Sequence, residues 1–197
     1  MKKRNTKQVI LPLITSFIWG SSFVAQSLGA GKVGGFTFTA ARSIPAVLVL
    51  GALVLILRRV RHKEKYTPQQ KKDLLEGGLV CGIFLTLGTN LQQFGIAETP
   101  AGKAGFITAL YIVLVPIFGI FLKKRVPKAV WVSVLLAVTG LYCLCITESF
   151  TIAPGDLCVM LCAFVFTAQI LLVDHFVTVV DGVELSCCQF FFVTAFS

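Results

Sequence analysis

Long apolar stretches alternate with short polar loops along the whole chain of 197 residues. Six of them are long enough to cross a membrane as helices, because a crossing needs about 20 mostly apolar residues. They are Val9 to Leu28, Phe36 to Leu57, Leu74 to Ala97, Ala101 to Leu122, Ala129 to Ile146 and Gly155 to Val173. A seventh begins near Glu184 and is still running at Ser197, so about six and a half crossings are visible. The pattern predicts an all-α, polytopic transmembrane helix bundle.

The seventh stretch supplies only half a crossing, from Cys187 to Ser197. We therefore expect the chain to be a C-terminally truncated fragment of a longer bundle. Prolines such as Pro100 and Pro127 stand where a new helix can begin. The loops between the stretches are short, so consecutive helices are expected to be antiparallel neighbours.

Lysine and arginine are distributed unevenly among the loops. Fifteen of the 18 lie at the N-terminus, from Arg58 to Lys72, or from Lys123 to Lys128. The loops Gly29 to Phe36 and Glu98 to Gly105 carry one lysine each. The three basic regions share one side of a membrane only if every intervening stretch crosses it, which is the positive-inside pattern. We expect a multi-pass protein of the cell (inner, cytoplasmic) membrane with its N-terminus in the cytoplasm.

Composition favours a membrane over an aqueous environment. The mean hydropathy is +0.85, with 56% hydrophobic and 14% charged residues, and a soluble domain of this kind would expose large apolar patches. The net charge of +9 is explained by orientation in the membrane, so nucleic-acid binding is not expected. The seven cysteines lie in apolar stretches without paired C-x-x-C spacing, so neither a metal nor a cofactor is expected.

Arg42 is the foremost candidate for a solute contact, because charged groups inside a membrane are costly and usually functional. It lies about six residues into the second stretch, roughly 9 Å from its end at about 1.5 Å per residue. From there the guanidinium either snorkels to the interface or binds an anion in a cavity, and the sequence leaves both open. Pro45, three residues later, frees the Ala41 carbonyl and is a candidate helix break.

Other side chains within the stretches are candidates for lining a cavity. Trp19 is too deep for an interfacial belt, which favours a cavity wall, whereas Ser22 fits helix packing slightly better. Three amides, including Asn90 and Gln93, stand near one end of the third stretch, where proximity to the interface explains them equally well. The remaining candidates are Tyr111 in the fourth stretch, the mid-helix break Pro116, and Gln169 in the sixth.

Signatures of an enzyme are missing from the sequence. No Asp or Glu lies in the middle of a complete stretch, where the carboxylate of a proton relay would stand. The chain contains no H-E-x-x-H motif, no glycine-rich phosphate loop and no nucleophile elbow. We therefore expect no catalytic residues and no metal site, and predict that the protein is not an enzyme.

A weak internal repeat relates the two parts of the chain. At an offset of 147 residues Trp19 falls on Phe166, and Arg42 falls on Gln189, in corresponding stretches. Many transporters are built from such duplicated units. The offset spans five crossings, an odd number, so the second unit is predicted to be inverted in the membrane relative to the first.

These residues resemble those of the drug/metabolite transporters with EamA-type repeats. The likeness rests on Trp19-Gly20-Ser21-Ser22-Phe23-Val24, on Arg42, on Pro100 to Gly119 with its Leu114-Val115-Pro116-Ile117, and on Gly140. It implies a ten-helix carrier made of two inverted five-helix repeats, with residues 9–146 as the first repeat and 153–197 as the start of the second. Lys123-Lys124-Arg125 stands where the family commonly has an acidic-basic pair.

The resemblance implies a secondary transporter that works by alternating access, in this family often an exporter of amino acids or other small metabolites. Its cavity would be lined by Trp19, Ser22, Arg42, Asn90, Gln93, Tyr111 and Gln169, with Arg42 as the anchor for an anion or carboxylate. Two other classes stay open: a non-transporting structural or assembly subunit, and an integral-membrane enzyme. The expected partners are a small-molecule substrate and the lipid bilayer. A homodimer is left open, although the basic loops fix one orientation and disfavour an inverted dimer.

Overall fold

The computed structural model describes residues 6–30, 32–60, 66–124, 126–145 and 153–197. These residues form eight helices and no strand. The helices are α1 (Thr6–Gly29), α2 (Gly35–Val60), α3 (Pro68–Glu98), α4 (Ala101–Thr108), α5 (Tyr111–Phe121), α6 (Lys128–Cys145), α7 (Pro154–Phe176) and α8 (Gly182–Phe196). The all-α architecture expected from the hydrophobic pattern is confirmed.

Five helical segments of the described chain are long and apolar enough to cross a membrane, and two shorter apolar helices accompany them. The fourth of these crossings consists of α4 and α5 together, interrupted at Ala109 and Leu110. There the hydrogen bonds tighten to three-residue spacing, from Leu110 N–H to Ile107 O and from Ile112 N–H to Ala109 O. The chain is therefore a polytopic helix bundle with one broken crossing.

A hydrogen-bonded carboxylate marks each end of the bundle. At the first end, termed the Asp156 end, Asp156 at the start of α7 accepts from the Thr99 hydroxyl (2.9 Å) and the Ala153 N–H (2.8 Å), and pairs with Lys103 (2.7 Å). These bonds tie α7 to the end of α3 and the start of α4. Because the carboxylate is almost fully buried, its loss would leave several donors without a partner.

The opposite end, termed the Glu184 end, carries a second buried carboxylate. Arg58 near the end of α2 donates through Nε (3.1 Å) and Nη2 (2.7 Å) to the two carboxylate oxygens of Glu184 on α8. The Asp181 N–H donates to the Tyr66 hydroxyl at 3.0 Å, and burial raises the pKa of Tyr66. Lys124 and Asp174 form a further ion pair at this end. The two hydrogen bonds from Arg58 to Glu184 hold α2 against α8.

Helix α3 is the centre of the bundle because glycines let α7 and α8 approach its backbone closely. A Cβ atom on Gly95 would lie 2.3 Å from Val159 Cγ2 of α7, and one on Gly78 would lie 2.3 Å from Cys188 Sγ of α8. Gly88 is covered in the same way by the Phe166 ring. Small residues at such positions are typical of helix contacts in membranes, where packing rather than hydrophobicity holds helices together.

The outer helices turn apolar side chains away from the bundle. Phe17 on α1 is 79% exposed, and Leu48 on α2 and Leu135 on α6 are exposed to a similar degree. In water such surfaces would promote aggregation, whereas in a bilayer they contact lipid without a free-energy penalty. The distribution of apolar residues is therefore that of a protein whose solvent is the membrane.

Candidate functional site

A cavity of about 370 Å³ lies within the bundle, between five of its helices. Its lining is Trp19 and Ser22 of α1, Arg42, Ser43 and Ala46 of α2, Leu85, Thr89 and Gln92 of α3, Phe166, Gln169 and Ile170 of α7, and Phe190 and Val193 of α8. Seven of these thirteen side chains are apolar and six are polar or charged. A chamber that combines apolar walls with placed polar groups is typical of small-molecule sites.

Four of the candidates from the sequence meet in this cavity: Trp19, Ser22, Arg42 and Gln169. They come from three helices and are separated in sequence by up to 150 residues. The Ser22 hydroxyl donates to the Trp19 carbonyl at 2.8 Å and accepts from the Gln26 amide at 3.3 Å, so it also has the packing role that the sequence favours. The structure therefore brings together the charged, aromatic and amide groups on which the cavity prediction depends.

Arg42 points into this cavity rather than along the helix to an interface. It stands seven residues after Gly35, so about 10 Å along α2 from the Asp156 end. Among the described residues its guanidinium has no hydrogen-bond or ion-pair partner. A guanidinium has five N–H donors and cannot lose its proton in a protein. The cavity therefore presents an unneutralised cation to whatever enters it.

On its α7 side, the cavity residue Gln169 is hydrogen-bonded to a second amide, Gln189 of α8. The Gln169 Nε2 donates to the Gln189 Oε1 at 3.2 Å, and both side chains are buried. Phe166 and Phe190 flank this pair with aromatic surface. This side of the cavity is polar but uncharged, in contrast to the Arg42 side.

The other two amide candidates, Asn90 and Gln93, do not line the cavity. Asn90 accepts a hydrogen bond from Thr39 at 3.4 Å and so joins α3 to α2. Gln93 donates to the Gln26 carbonyl at 3.3 Å and joins α3 to α1. Their neighbour Gln92, which the sequence interpretation did not select as a site residue, faces the cavity and donates to Thr108 at 3.3 Å.

Gln92 shares its helix face with two other cavity residues that the sequence interpretation did not select. Leu85, Thr89 and Gln92 follow one another at spacings of four and three residues, which places them on one stripe of α3. Thr89 and Gln92 are its polar members, so helical spacing was the signal that could have found them. Asn90 and Gln93 lie on a neighbouring stripe of the same helix, which does not include Leu85, Thr89 and Gln92.

Tyr111 lies behind the cavity wall rather than in the lining. Its ring meets the Trp19 ring edge to face, with 5.8 Å between the centroids. It also lines a separate groove of about 480 Å³ beside α7, together with Pro116, Lys124 and Asp174. Tyr111 therefore supports Trp19 through an aromatic contact without lining the chamber itself.

Neither proline candidate interrupts its helix. α2 continues through Pro45, and α5 continues through Pro116. A proline removes one hydrogen bond from a helix and bends it, but the neighbouring turns can continue. The observed interruption, at Ala109 and Leu110, lies on the Asp156 side of Pro116.

Residues related by the offset of 147 recur in the cavity lining. At the offset of 147 residues Trp19 corresponds to Phe166, Ser22 to Gln169, Ser43 to Phe190 and Ala46 to Val193, and all eight residues line the chamber. The first members lie on α1 and α2, and the second members lie on α7 and α8. Residues separated by this offset thus line a single space.

Comparison with known proteins places the chain in a family. Residues 6–146 match the EamA-like transporter family. The chain is also 31% identical over 179 residues to an uncharacterized transporter of Archaeoglobus fulgidus, a match that covers 90% of this chain and 52% of that protein. The chain thus spans about half the length of this relative. No solved structure matches it significantly. The match over residues 6–146, together with the helix bundle and its central chamber, shows that the chain belongs to the EamA-like transporter family, whose members are multi-pass membrane proteins.

Proposed function

We propose that the whole protein is a secondary transporter that exports small organic metabolites, amino acids among them, by alternating access between two inverted five-helix repeats. Residues 9–146 form the first repeat of the proposed ten-helix carrier, and residues 153–197 begin the second. The membership of a transporter family supports the coarse assignment. The pairs of cavity residues related by 147 positions support the duplicated design.

The observation that carries this proposal is the unpaired guanidinium of Arg42 in the central cavity. An arginine in a membrane-embedded cavity without a counter-ion among the described residues is costly, and an anionic group of the solute would offset that cost. The planar guanidinium matches a carboxylate in two parallel hydrogen bonds. Arg42 is therefore proposed as the carboxylate anchor.

The remaining candidates take roles around this anchor. Trp19 forms an apolar wall for the body of the solute, and Tyr111 supports that wall from behind. Ser22 and Gln169 offer hydrogen bonds inside the chamber. Asn90 and Gln93 hold α2 and α1 against α3 instead of touching the solute.

The proposed orientation places the Glu184 end in the cytoplasm, together with the N-terminus, in the cell membrane. The described basic residues at this end include Arg58, Arg59, Lys71 and Lys72. An excess of lysine and arginine is typical of cytoplasmic loops. A protease-cleavable tag fused to the N-terminus should stay intact when protease is added to whole cells, and should be cut once the membrane is opened.

The anchor is tested by transport in proteoliposomes that contain the whole protein and a pool of radiolabelled amino acids. Arg42→Ala should reduce flux by about 10- to 100-fold, because a charge-assisted hydrogen bond contributes about 1.5–3 kcal/mol. Arg42→Lys should retain part of the flux, since the charge remains but the bidentate geometry is lost.

Arg59→Ala is the matched control, because it removes an arginine from the same helix at its exposed end. It should transport like the unchanged protein. Equal flux in Arg42→Ala and the unchanged protein, at equal amounts of folded protein, would remove the anchor role. No flux of any amino acid would favour a non-transporting assembly subunit.

A further inference from the structure

The two sides of the cavity differ in charge at one pair of corresponding positions. The offset of 147 residues that pairs the lining residues also pairs Arg42 of α2 with Gln189 of α8. Arg42 carries a fixed positive charge, whereas Gln189 is neutral and bonded to the cavity residue Gln169. The offset therefore relates a charged pole, Arg42, to an amide pole formed by Gln169 and Gln189, of which Gln169 lines the chamber.

The amide pole retains hydrogen-bonding capacity. One bond joins its members, from Gln169 Nε2 to Gln189 Oε1. The Gln169 carbonyl oxygen has no partner within the described residues, and it is not among the polar atoms sealed from solvent. The same holds for the Gln189 Nε2 group. The pair thus offers one acceptor and several N–H donors, and Gln169 presents this side to the cavity.

We propose that Gln189 is a specificity-determining residue, which with Gln169 forms a neutral pole that selects solutes whose second polar group is an uncharged hydroxyl or amide. This inference rests on the proposed function, because it assumes that Arg42 holds a carboxylate. A hydroxyl or amide donates and accepts, as the glutamine pair does. A second charged group would be desolvated against neutral amides without a counter-ion.

A purely structural role is the competing explanation for this pair. A hydrogen bond between buried amides also ties α7 to α8. A structural role predicts that changes at Gln189 alter stability and leave the order of solute preference unchanged. Solute preference, rather than activity or stability, is therefore the decisive readout.

The test uses the purified whole protein in lipid nanodiscs, with Trp131 and any other tryptophan replaced by phenylalanine, so that Trp19 is the fluorescent reporter in the cavity wall. Three probes of equal chain length are titrated: 5-hydroxypentanoate, 5-aminopentanoate and glutarate. They share one carboxylate and differ only in the far group, which is neutral, cationic or anionic. With Gln189 present, the hydroxy acid should bind at least about tenfold more tightly than the other two.

Gln189→Glu should reverse this order and make 5-aminopentanoate the tightest probe, because a carboxylate replaces the neutral amide. Gln189→Met, of similar size, should weaken the hydroxy acid without favouring either charged probe. Gln169→Glu repeats the charge change at the bonded partner, in case Gln189→Glu does not fold. Size-exclusion profiles and melting temperatures confirm that each variant is folded.

The two proposals fail in different ways. An unchanged order of preference in both folded glutamate variants, with all three probes still lost in Arg42→Ala, would overturn the neutral pole and leave the anchor intact. Probe binding that is the same with and without Arg42, or no binding of any probe, would overturn the proposed function itself.

Discussion

Helices α1 and α7 are related by the offset of 147 residues and line the same cavity, yet they are packed very differently. The buried face of α7 includes Val159, Cys162 and Ala163, which are all completely inaccessible. In α1 the described residues classed as buried are Phe23 and Gln26. The 147-residue relation therefore predicts the cavity lining of both helices, but not their packing.

Contacts with α3 explain this difference in packing. The α3 glycines allow α7 to pack directly against the α3 backbone, as Val159 does at Gly95, and the hydrogen bonds of Asp156 hold the start of α7. α1 meets α3 through Phe23, which packs in a buried cluster with Ile96, and through one hydrogen bond among the described residues, from Gln93 to the Gln26 backbone. The Gln26 and Gln93 side-chain oxygens are buried without a partner in that part of the chain. One cavity wall is thus firmly held and the other more weakly held, and we infer that α1 moves more easily than α7 against α3.

The largest effect on stability is expected where α7 packs most closely against α3. Gly95→Leu would drive a side chain into Val159 Cγ2 and the Gly155 carbonyl, which lies 2.8 Å from an ideal Cβ. We expect a loss of about 3 kcal/mol in the free energy of unfolding, the upper part of the usual range for overpacking. Unfolding by SDS titration in mixed micelles measures it.

Gly20→Leu is the matched control on α1, where no atom lies within 4 Å of the corresponding Cβ position. It should leave stability unchanged or raise it slightly, because glycine is a poor helix former. Equal destabilisation by both substitutions would show that the two walls are held alike.

A smaller effect is expected at the start of α7. Asp156→Asn removes the charge that pairs with Lys103 and weakens the acceptor for Thr99 and Ala153. We expect a loss of about 2 kcal/mol, because the bonds are buried and charge-assisted. Asp174→Asn, at the exposed end of the same helix, should cost less than about 1 kcal/mol. Thermal melts in nanodiscs separate the two, and an equal loss in both variants would contradict a special role for the Asp156 end.

The smallest effect on stability, and one of opposite sign, is expected where α1 packs against α3. Gln93→Leu removes an unpaired buried oxygen together with the long bond to Gln26. The Gln26 carbonyl keeps its hydrogen bond from the Ala30 N–H, so the substitution leaves this carbonyl with a partner. Stability should stay the same or rise by up to about 1 kcal/mol. Hydrogen exchange should slow in α1 but not in α7; faster exchange in α1 would show that Gln93 is a needed tether.

The sequence was sufficient to predict five crossings and part of the site, because depth along a helix can be counted from the sequence. The predicted crossing from Ala129 to Ile146 extends beyond the described residues, which form a shorter apolar helix there. Arg42 and Gln169 were selected for their depth, and both face the cavity. Depth says nothing about direction around the helix axis, which changes by about 100° per residue. For this reason Asn90 and Gln93 were selected although only their neighbour Gln92 faces the chamber.

The break in the fourth crossing was harder to predict. Pro116 drew attention because proline lacks an N–H, yet α5 is continuous there. The interruption falls at Ala109 and Leu110, two good helix formers, so local propensity gives no warning. Such a break depends on contacts with other helices, which a single sequence does not reveal.

The Arg58 and Glu184 pair has a consequence for how the chain enters the membrane. The polar loop before α8, from Asp174 to Gly182, contains no lysine or arginine, so it gives the insertion machinery no charge signal. Acidic residues at the start of this loop and just after it instead meet basic partners that precede them in the chain: Lys124 for Asp174, and Arg58 for Glu184 of α8. We expect the early crossings to be oriented by their basic loops during synthesis, and α8 to take its direction from its ion pair with α2. The late helices would then depend on the earlier ones as a template.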